Sequence, residues 1–146
     1  MYLLAIESLK KHDFNQYEIS NFSKKNYESK HNLKYWNCEE YLGVGPSAHS
    51  YLNGKRFEVE RSIDKFISTS LQKEIITEEN PGDFFEKMML KLRLSKGINL
   101  KKVALENFKN INMLQKAGLI ELKNDRLFLT EKGFLVSNSV ISSLLF

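Results

Sequence analysis

The spacing of apolar residues over the first part of the chain predicts short helices and strands in alternation. A helix is predicted from Tyr2 to Lys11, where apolar residues recur at helical intervals. A strand is predicted from Phe14 to Ser20, where apolar and polar residues alternate. A helical turn over His31–Trp36 and a short strand over Tyr41–Val44 follow. A helix followed by a strand is typical of the last units of a β/α barrel.

Two β-hairpins are predicted from turn residues between strand-like segments. An Asn-Gly pair at residues 53–54 separates segments 48–52 and 56–60, and Asn-Gly between strands is a strong hairpin indicator. A Lys-Asn-Asp turn likewise separates segments 119–122 and 126–129.

A helix and a domain boundary are predicted between these hairpins. Ser62 is suited to cap a helix over about residues 63–75. The side chains expected to face inward are Phe66, Ile67 and Leu71. The stretch Thr77–Gly82 is polar and contains a proline, so we expect two domains, of residues 1–76 and 80–146.

The second domain is predicted to combine helices with its hairpin. The four helices are expected over residues 83–96, 100–108, 110–117 and 131–144. Their start and end residues are Gly97, Asn99, Gly118 and Thr130. This order is typical of a winged-helix-like domain. The fold class is therefore predicted to be α/β in the first domain and α+β in the second.

Composition and charge exclude several classes of protein. The 146 residues are 42% hydrophobic and 27% charged with a net charge of +4, which is ordinary for a globular protein. No apolar run approaches the ~20 residues needed to cross a bilayer, and the start does not resemble a signal peptide. The charge permits anionic ligands, but the candidate reading helix 110–117 has no arginine, so nucleic-acid binding is not expected. The single cysteine excludes a cysteine-rich metal site and suits the cytoplasm.

Candidate chemistry is concentrated in residues 31–51, which hold two of the three histidines and the only tryptophan. His31 and Tyr35 are four residues apart, so in a helix they share a face. Such a face could bind a metal or a flat, partly apolar ligand, and the alternative is a histidine that only hydrogen-bonds to backbone. Tyr35 and Trp36 are adjacent and are expected on different faces of the helix.

Several blocks of the chain resemble the HemN/HemW family, which comprises oxygen-independent coproporphyrinogen III oxidases and related heme chaperones. Residues 17–22 resemble the family's YEISNF strand, and residues 31–36 fit the HNxxYW motif of the chaperone branch. Residues 41–50 resemble its glycine-rich YLGxGxGAHS loop. Residues 92–97 and 118–133 resemble the family's C-terminal domain.

The resemblance implies that this chain is the C-terminal portion of a longer radical-SAM heme chaperone. Residues 1–76 would be the last units of a partial radical-SAM β/α barrel, and residues 80–146 the winged-helix-like C-terminal domain. The missing N-terminal barrel would carry the CxxxCxxC motif, a [4Fe-4S] cluster and S-adenosylmethionine. The fragment lacks that motif and is expected to be inactive alone.

The same resemblance implies partners and leaves alternatives. The parent would bind heme and deliver it to heme-acceptor proteins in the cytoplasm, with membrane contact only through an acceptor. One alternative is an oxidase parent, which would decarboxylate coproporphyrinogen III in porphyrin biosynthesis. Another is a winged-helix interaction module without a cofactor.

The resemblance also implies which residues bind cofactors. These are His31, Asn32, Tyr35, Trp36, Gly43, Gly45 and Ala48. His31 would be the axial ligand to heme iron. The three small residues resemble the loop near S-adenosylmethionine, and the alternative is that they only permit close packing.

The roles of three basic residues near the motifs remain open. The basic residues Lys30, Lys34 and Arg56 would either pair with heme propionates or be solvated surface charges. The chain also departs from the family pattern. Ser47 stands where glycine is usual, and Glu58-Val59 stands where an aromatic residue and asparagine are usual.

Overall fold

The computed structural model describes residues 1–68, 74–79 and 81–146, and this part of the chain forms a mixed α+β structure. In chain order the helices are α1 (Tyr2–Lys10), α2 (Lys30–Trp36), α3 (Ile63–Ser68), α4 (Phe84–Lys91), α5 (Ile111–Lys116), α6 (Glu131–Leu135) and α7 (Ser137–Leu145). The strands are β1 (Asn15–Gln16), β2 (Phe22–Ser23), β3 (His49–Leu52), β4 (Lys55–Val59), β5 (Glu74–Glu78), β6 (Ile98–Asn99), β7 (Ile120–Lys123) and β8 (Arg126–Leu129). They form three antiparallel sheets, in the orders β1-β2, β3-β4-β5 and β6-β8-β7. Over the described residues, no helix has the length and apolar character needed to cross a membrane.

The chain forms two compact units. The first unit combines Met1–Asn37 with Lys87–Phe146, and the second unit is Cys38–Glu86. These units divide the chain at points other than the expected boundary between residues 76 and 80. The division of the chain into domains 1–76 and 80–146 therefore stays a prediction.

The core of the first unit is built largely by its C-terminal part. Its buried members are Met88, Leu92, Ile98, Phe108, Leu114, Ile120, Leu127, Leu129, Phe134, Val140, Ile141, Leu144 and Leu145. Tyr2 of α1 and Ile19 pack against this core, and an isolated β-bridge joins Glu18 to Leu94. The N-terminal segment (Met1–Asn37) is thus part of the same packed unit as the C-terminal segment (Lys87–Phe146).

Both predicted hairpins are present. In the β3–β4 turn, Asn53 and Gly54 have φ values of 51° and 72°. In the β7–β8 turn, Asn124 and Asp125 have φ values of 52° and 55°. Two consecutive positive φ angles are the requirement of the type I′ hairpin turn, and Asn, Asp and Gly tolerate them best.

The helix expected over residues 63–75 is wrong at residues 74–75. Helix α3 is described over Ile63–Ser68, residues 69–73 lie outside the described residues, and residues 74–78 form β5, which pairs with β4. Ile67, which was expected to face inward, is 75% exposed, and Leu71 lies outside the described residues. Pairing with β4 decides the conformation of β5, and the periodicity of a single segment does not report such pairing.

The helix expected over residues 100–108 is also wrong. Residues 98–99 form β6 beside β8, and of the expected range only Leu105–Asn107 forms a 3-10 turn. Gly97 does not end a helix, because α4 stops at Lys91. Its φ is 56° and a Cβ there would clash with a backbone carbonyl of β8, so glycine is needed where the chain enters β6.

Two other elements are shorter than expected and a third is interrupted. The strand expected over Phe14–Ser20 is reduced to β1, and the strand over Tyr41–Val44 to a single bridge between Tyr41 and Tyr51. The last helix is interrupted at Val136, whose φ of −124° is not helical, so it forms α6 and α7. The helices expected over residues 2–11, 31–36 and 110–117 are confirmed as α1, α2 and α5.

Candidate functional site

Helix α2 carries four of the predicted site residues and has defined ends. Ser29 caps its start, because the Ser29 Oγ accepts a hydrogen bond of 3.3 Å from the Asn32 N–H. After Trp36 and Asn37, Cys38 adopts a φ of 55°, the left-handed conformation that commonly follows the last turn of a helix. The motif is therefore presented on a short helix of about two turns.

His31 and Tyr35 contact each other on the surface of α2. The Tyr35 hydroxyl lies 3.0 Å from His31 Nε2, and the two rings meet edge to face with centroids 4.9 Å apart. His31 is exposed and Tyr35 is 37% exposed. The expectation that these residues share a helix face is confirmed. Because Tyr35 engages Nε2, Nδ1 is the ring nitrogen that is left for a further partner.

A pocket of about 500 Å³ lies beside α2 within the first unit. It is lined by Glu18, Ile19, Ser20, Asn21, Asn32, Tyr35, Trp36 and Arg93. Tyr35 and Trp36 both line it, so the expectation that they lie on different faces of the helix is wrong. Positions 32, 35 and 36 fall within an arc of about 100° on a helix, which is wide enough to face one pocket. His31 is not among the lining residues.

Glu18 is a pocket residue that the sequence patterns did not single out. Its side chain is 1% exposed, and its carboxylate accepts hydrogen bonds from the Ser20 N–H (3.1 Å) and from the Asn21 side-chain amide. The one indication in the sequence that Glu18 is buried was its place as an acidic residue inside the strand-like block 17–22. A buried carboxylate needs such donors to offset its lost hydration.

Arg93 is the second pocket residue that the sequence patterns did not single out. Its guanidinium carbon lies 6.0 Å from the centroid of the Trp36 ring. Its Nη2 donates a hydrogen bond of 3.0 Å to Asn138 Oδ1 of α7. The indication in the sequence was an arginine inside an apolar segment, but its proximity to Trp36 comes only from the fold.

Gly43, in the second unit, is required by close packing. A Cβ at this position would clash with the His49 carbonyl oxygen and press on the Ala48 side chain. The Gly43 N–H donates a hydrogen bond of 3.0 Å to Oγ of the buried Ser50. The geometry thus accounts for glycine here without a ligand, and the expected contact with S-adenosylmethionine stays a prediction.

Residues Gly45 to Ala48 form a tight turn. The Ala48 N–H donates a hydrogen bond of 3.2 Å to the Gly45 carbonyl oxygen, with Pro46 and Ser47 between them. Ser47 has a φ of 62°. Proline at the second position and a positive φ at the third define a type II turn, which favours glycine at the third position. Ser47 therefore keeps the glycine-like conformation at some conformational cost.

Arg56, a candidate partner for heme propionates, is already paired in the second unit. Its Nη1 lies 2.8 Å from Glu78 Oε2, and its Nη2 lies 2.6 Å from Glu86 Oε1. The pKa of Arg56 is raised: desolvation lowers it, but the hydrogen bond and charge of Glu86, followed by those of Glu78, outweigh that effect. Burial also raises the pKa of Tyr51, whose ring centroid lies 5.5 Å from the Arg56 guanidinium carbon. Two carboxylates already balance this cation, so the propionate role expected for Arg56 is not retained.

Glu58 stands opposite His49 on the β3–β4 hairpin, at a position where the chain departs from the family pattern. Its Oε2 lies 2.8 Å from Arg61 Nη2 and 3.6 Å from His49 Nε2. The hydrogen bond from Arg61 lowers the pKa of the Glu58 carboxyl. Glu58 therefore takes part in a surface charge network, and His49 is exposed beside it.

Comparison with known proteins places the chain in a family. Residues 83–136 match the HemN C-terminal domain. The chain is 33% identical to the heme chaperone HemW of Bacillus subtilis over 99% of its length, and that match covers 42% of the relative. HemW of Lactococcus lactis is also 33% identical, over 99% of this chain and 41% of the relative. The chain belongs to the HemN/HemW family.

The family match locates the chain within longer relatives. It spans about two fifths of the length of the HemW proteins that it matches. A mitochondrial radical S-adenosyl methionine domain-containing protein of Danio rerio is 49% identical over 49 residues, which cover 34% of this chain and 11% of that relative. No solved structure matches the chain. The HemN C-terminal match starts at the cap of α4 and ends at Val136, between α6 and α7.

Proposed function

We propose that the chain is the C-terminal portion of a heme chaperone that binds heme on α2, with His31 as the iron ligand, and delivers it to acceptor proteins. The observation that carries the proposal is the His31–Tyr35 pair, an exposed imidazole with Nε2 engaged by a hydroxyl 3.0 Å away. An imidazole whose second nitrogen is held in this way is fixed in orientation, as metal-bound histidines are. The HemW name of two relatives that cover 99% of the chain supports the same cargo.

The residues around α2 fit heme as a cargo. Heme iron accepts a neutral imidazole nitrogen, and its flat macrocycle needs an apolar surface. Tyr35 and Trp36 supply aromatic surface at the pocket beside the helix. Lys30 and Lys34 on the same helix are exposed and are candidates to meet propionates at the rim. His31 would hold the iron through Nδ1, with Nε2 held by the Tyr35 hydroxyl.

The iron–sulfur cluster and S-adenosylmethionine do not fit this chain alone. A [4Fe-4S] cluster takes several thiolates, and Cys38 is the only cysteine. We assign both groups to the part of the relatives that this chain does not span. The type II turn at Gly45 and the close packing at Gly43 would then support the S-adenosylmethionine site from this side, together with Ala48.

We also propose a fold for each of the two predicted domains. Residues 1–76 would complete a radical-SAM barrel, since α1 is followed by a strand and then by the motif helix. Residues 80–146 would be a winged-helix-like domain, because α5 precedes the β7–β8 hairpin and β6 adds a third strand. The parent would act in the cytoplasm and reach membranes only through its acceptors.

Hemin titration tests the proposal. The wild-type chain should show a Soret band shift on binding. His31→Ala should change that band and weaken binding by more than about tenfold, because loss of a ligand's hydrogen-bond partner alone typically costs 10–100-fold. His12→Ala is the matched control, because His12 is exposed and its Nδ1 only contacts the Ser8 carbonyl oxygen at 2.9 Å.

Two results would contradict the proposal. Tight hemin binding with an unchanged spectrum in His31→Ala would move the ligand to another residue. Turnover of coproporphyrinogen III by a parent protein carrying this C-terminal portion would assign the chain to the oxidase branch instead.

A further inference from the structure

Arg93 differs from the other arginines of the chain in what it contacts. Arg56 and Arg61 each pair with glutamate, and Arg126 donates to the backbone carbonyl oxygens of Lys96 and Gly97. Arg93 is half-buried, and within the described part of the chain it forms no ion pair. Its guanidinium is thus open to an anionic partner that a ligand would supply.

The surroundings of Arg93 fix its position and leave donors available. Asn138 accepts one hydrogen bond from Nη2, and the Trp36 ring lies against the guanidinium carbon at 6.0 Å. A guanidinium has five N–H donors in a planar fork that matches the two oxygens of a carboxylate. Glu18 lines the same pocket, but its oxygens are used by Ser20 and Asn21.

We propose that Arg93 binds a carboxylate of the ligand that lies against α2, namely a porphyrin propionate of the cargo. This inference rests on the proposed function and adds a residue of the C-terminal segment to the site. It places the aromatic surface of Tyr35 and Trp36 and an anion partner in one pocket. A flat ligand with an acidic edge has the matching chemistry.

Iron-free protoporphyrin IX and its dimethyl ester test the proposal on the full chain, because neither depends on an iron ligand. Fluorescence titration should show that the wild type binds the free acid about tenfold more tightly than the ester, the gain expected for a charge-assisted hydrogen-bonded pair. Arg93→Gln should reduce this preference by weakening the binding of the free acid alone. Arg93→Lys should keep part of it. Arg61→Gln, which removes an exposed arginine of the second unit, should keep all of it.

The outcomes separate this inference from the proposed function. If His31→Ala changes hemin binding but Arg93→Gln keeps the preference for the free acid, the Arg93 assignment alone is wrong. Equal weakening of both porphyrins by Arg93→Gln, with an unchanged circular dichroism spectrum, overturns it as well. If the wild type shows no preference between acid and ester, no propionate partner exists in the pocket. A reduced preference in Arg93→Gln but not in Arg61→Gln supports it.

Discussion

At the scale of single residues, the proposed heme site depends on the contact between His31 Nε2 and the Tyr35 hydroxyl. Helix α2 brings Tyr35 to that nitrogen because residues four apart stack on one helical face. The hydroxyl holds Nε2, and in the proposed heme complex Nδ1 would bind the iron. The pair is exposed, so its contribution to folding stability is small, and its effect is expected in ligand binding.

Tyr35→Phe should therefore weaken hemin binding while the fold stays intact. The ring is kept and only the hydroxyl that holds His31 Nε2 is lost. Loss of such a partner typically costs 10–100-fold in metal affinity, and we expect about tenfold at this exposed position. Tyr27→Phe is the control, since Tyr27 is 81% exposed and lies outside α2. Equal affinities and spectra for the two variants would show that Tyr35 does not position His31.

Ser47→Gly should stabilise the chain. Ser47 holds a φ of 62° at the third position of a type II turn, where a Cβ is unfavourable. Placing glycine there should relieve about 1 kcal/mol of backbone strain, partly offset by the larger entropy of the unfolded glycine chain. Urea denaturation measures the change, and Ser142→Gly, within α7, is a control that should destabilise. A lower midpoint for Ser47→Gly would mean that the turn is not strained.

At the scale of elements, local turn chemistry was predictable and pairing was not. The hairpins were predicted because Asn-Gly and Asn-Asp accept the positive φ angles that a two-residue turn imposes. Strands β5 and β6 were mistaken for helices because their conformations come from β4 and β8, which lie elsewhere in the sequence. The motif helix α2 followed from residue spacing. The pocket beside α2 could not be predicted in this way, because only the fold brings Glu18 and Arg93 close to the helix.

Gly97→Ala tests the packing of β6 against β8. Its φ is 56°, and a Cβ would strike the Leu127 carbonyl oxygen and the Phe128 side chain. We expect a loss of about 3 kcal/mol or more, the sum of left-handed strain and overpacking. Gly118→Ala is a matched control, because its φ is 69° but no atom lies within 4 Å of the added Cβ. It should cost only about 1 kcal/mol. Equal losses in urea denaturation would contradict the tight β6–β8 contact.

At the scale of the whole molecule, the N-terminal segment is part of the first unit. Besides the Glu18–Leu94 bridge, the Ser95 N–H donates a hydrogen bond of 3.1 Å to the Tyr17 carbonyl oxygen. Lys10 also pairs with Glu131 at 2.6 Å, although both side chains are more than half exposed and the pair adds little. These contacts could not be predicted from the sequence, because each joins segments that no local pattern relates.

A fragment of residues 80–146 should fold but be less stable than the full chain. It keeps the core from Met88 to Leu145 and loses the cover that Tyr2 and Ile19 provide. NMR should show dispersed amide signals, and the melting temperature should fall by about 5 °C or more. Adding a peptide of residues 1–37 should raise it again. An undispersed spectrum would show that the C-terminal segment is not a domain, and an unchanged melting temperature would show that the N-terminal segment does not stabilise it.

Pulsed electron paramagnetic resonance on the hemin-bound chain labelled with ¹⁵N-histidine tests directly whether His31 binds the iron. We expect hyperfine coupling from one imidazole nitrogen in the wild type and in His12→Gln. The same coupling should be absent in His31→Gln. Coupling that persists in His31→Gln, or a wild-type spectrum without any histidine nitrogen at the iron, would contradict the assignment of His31 as the heme ligand.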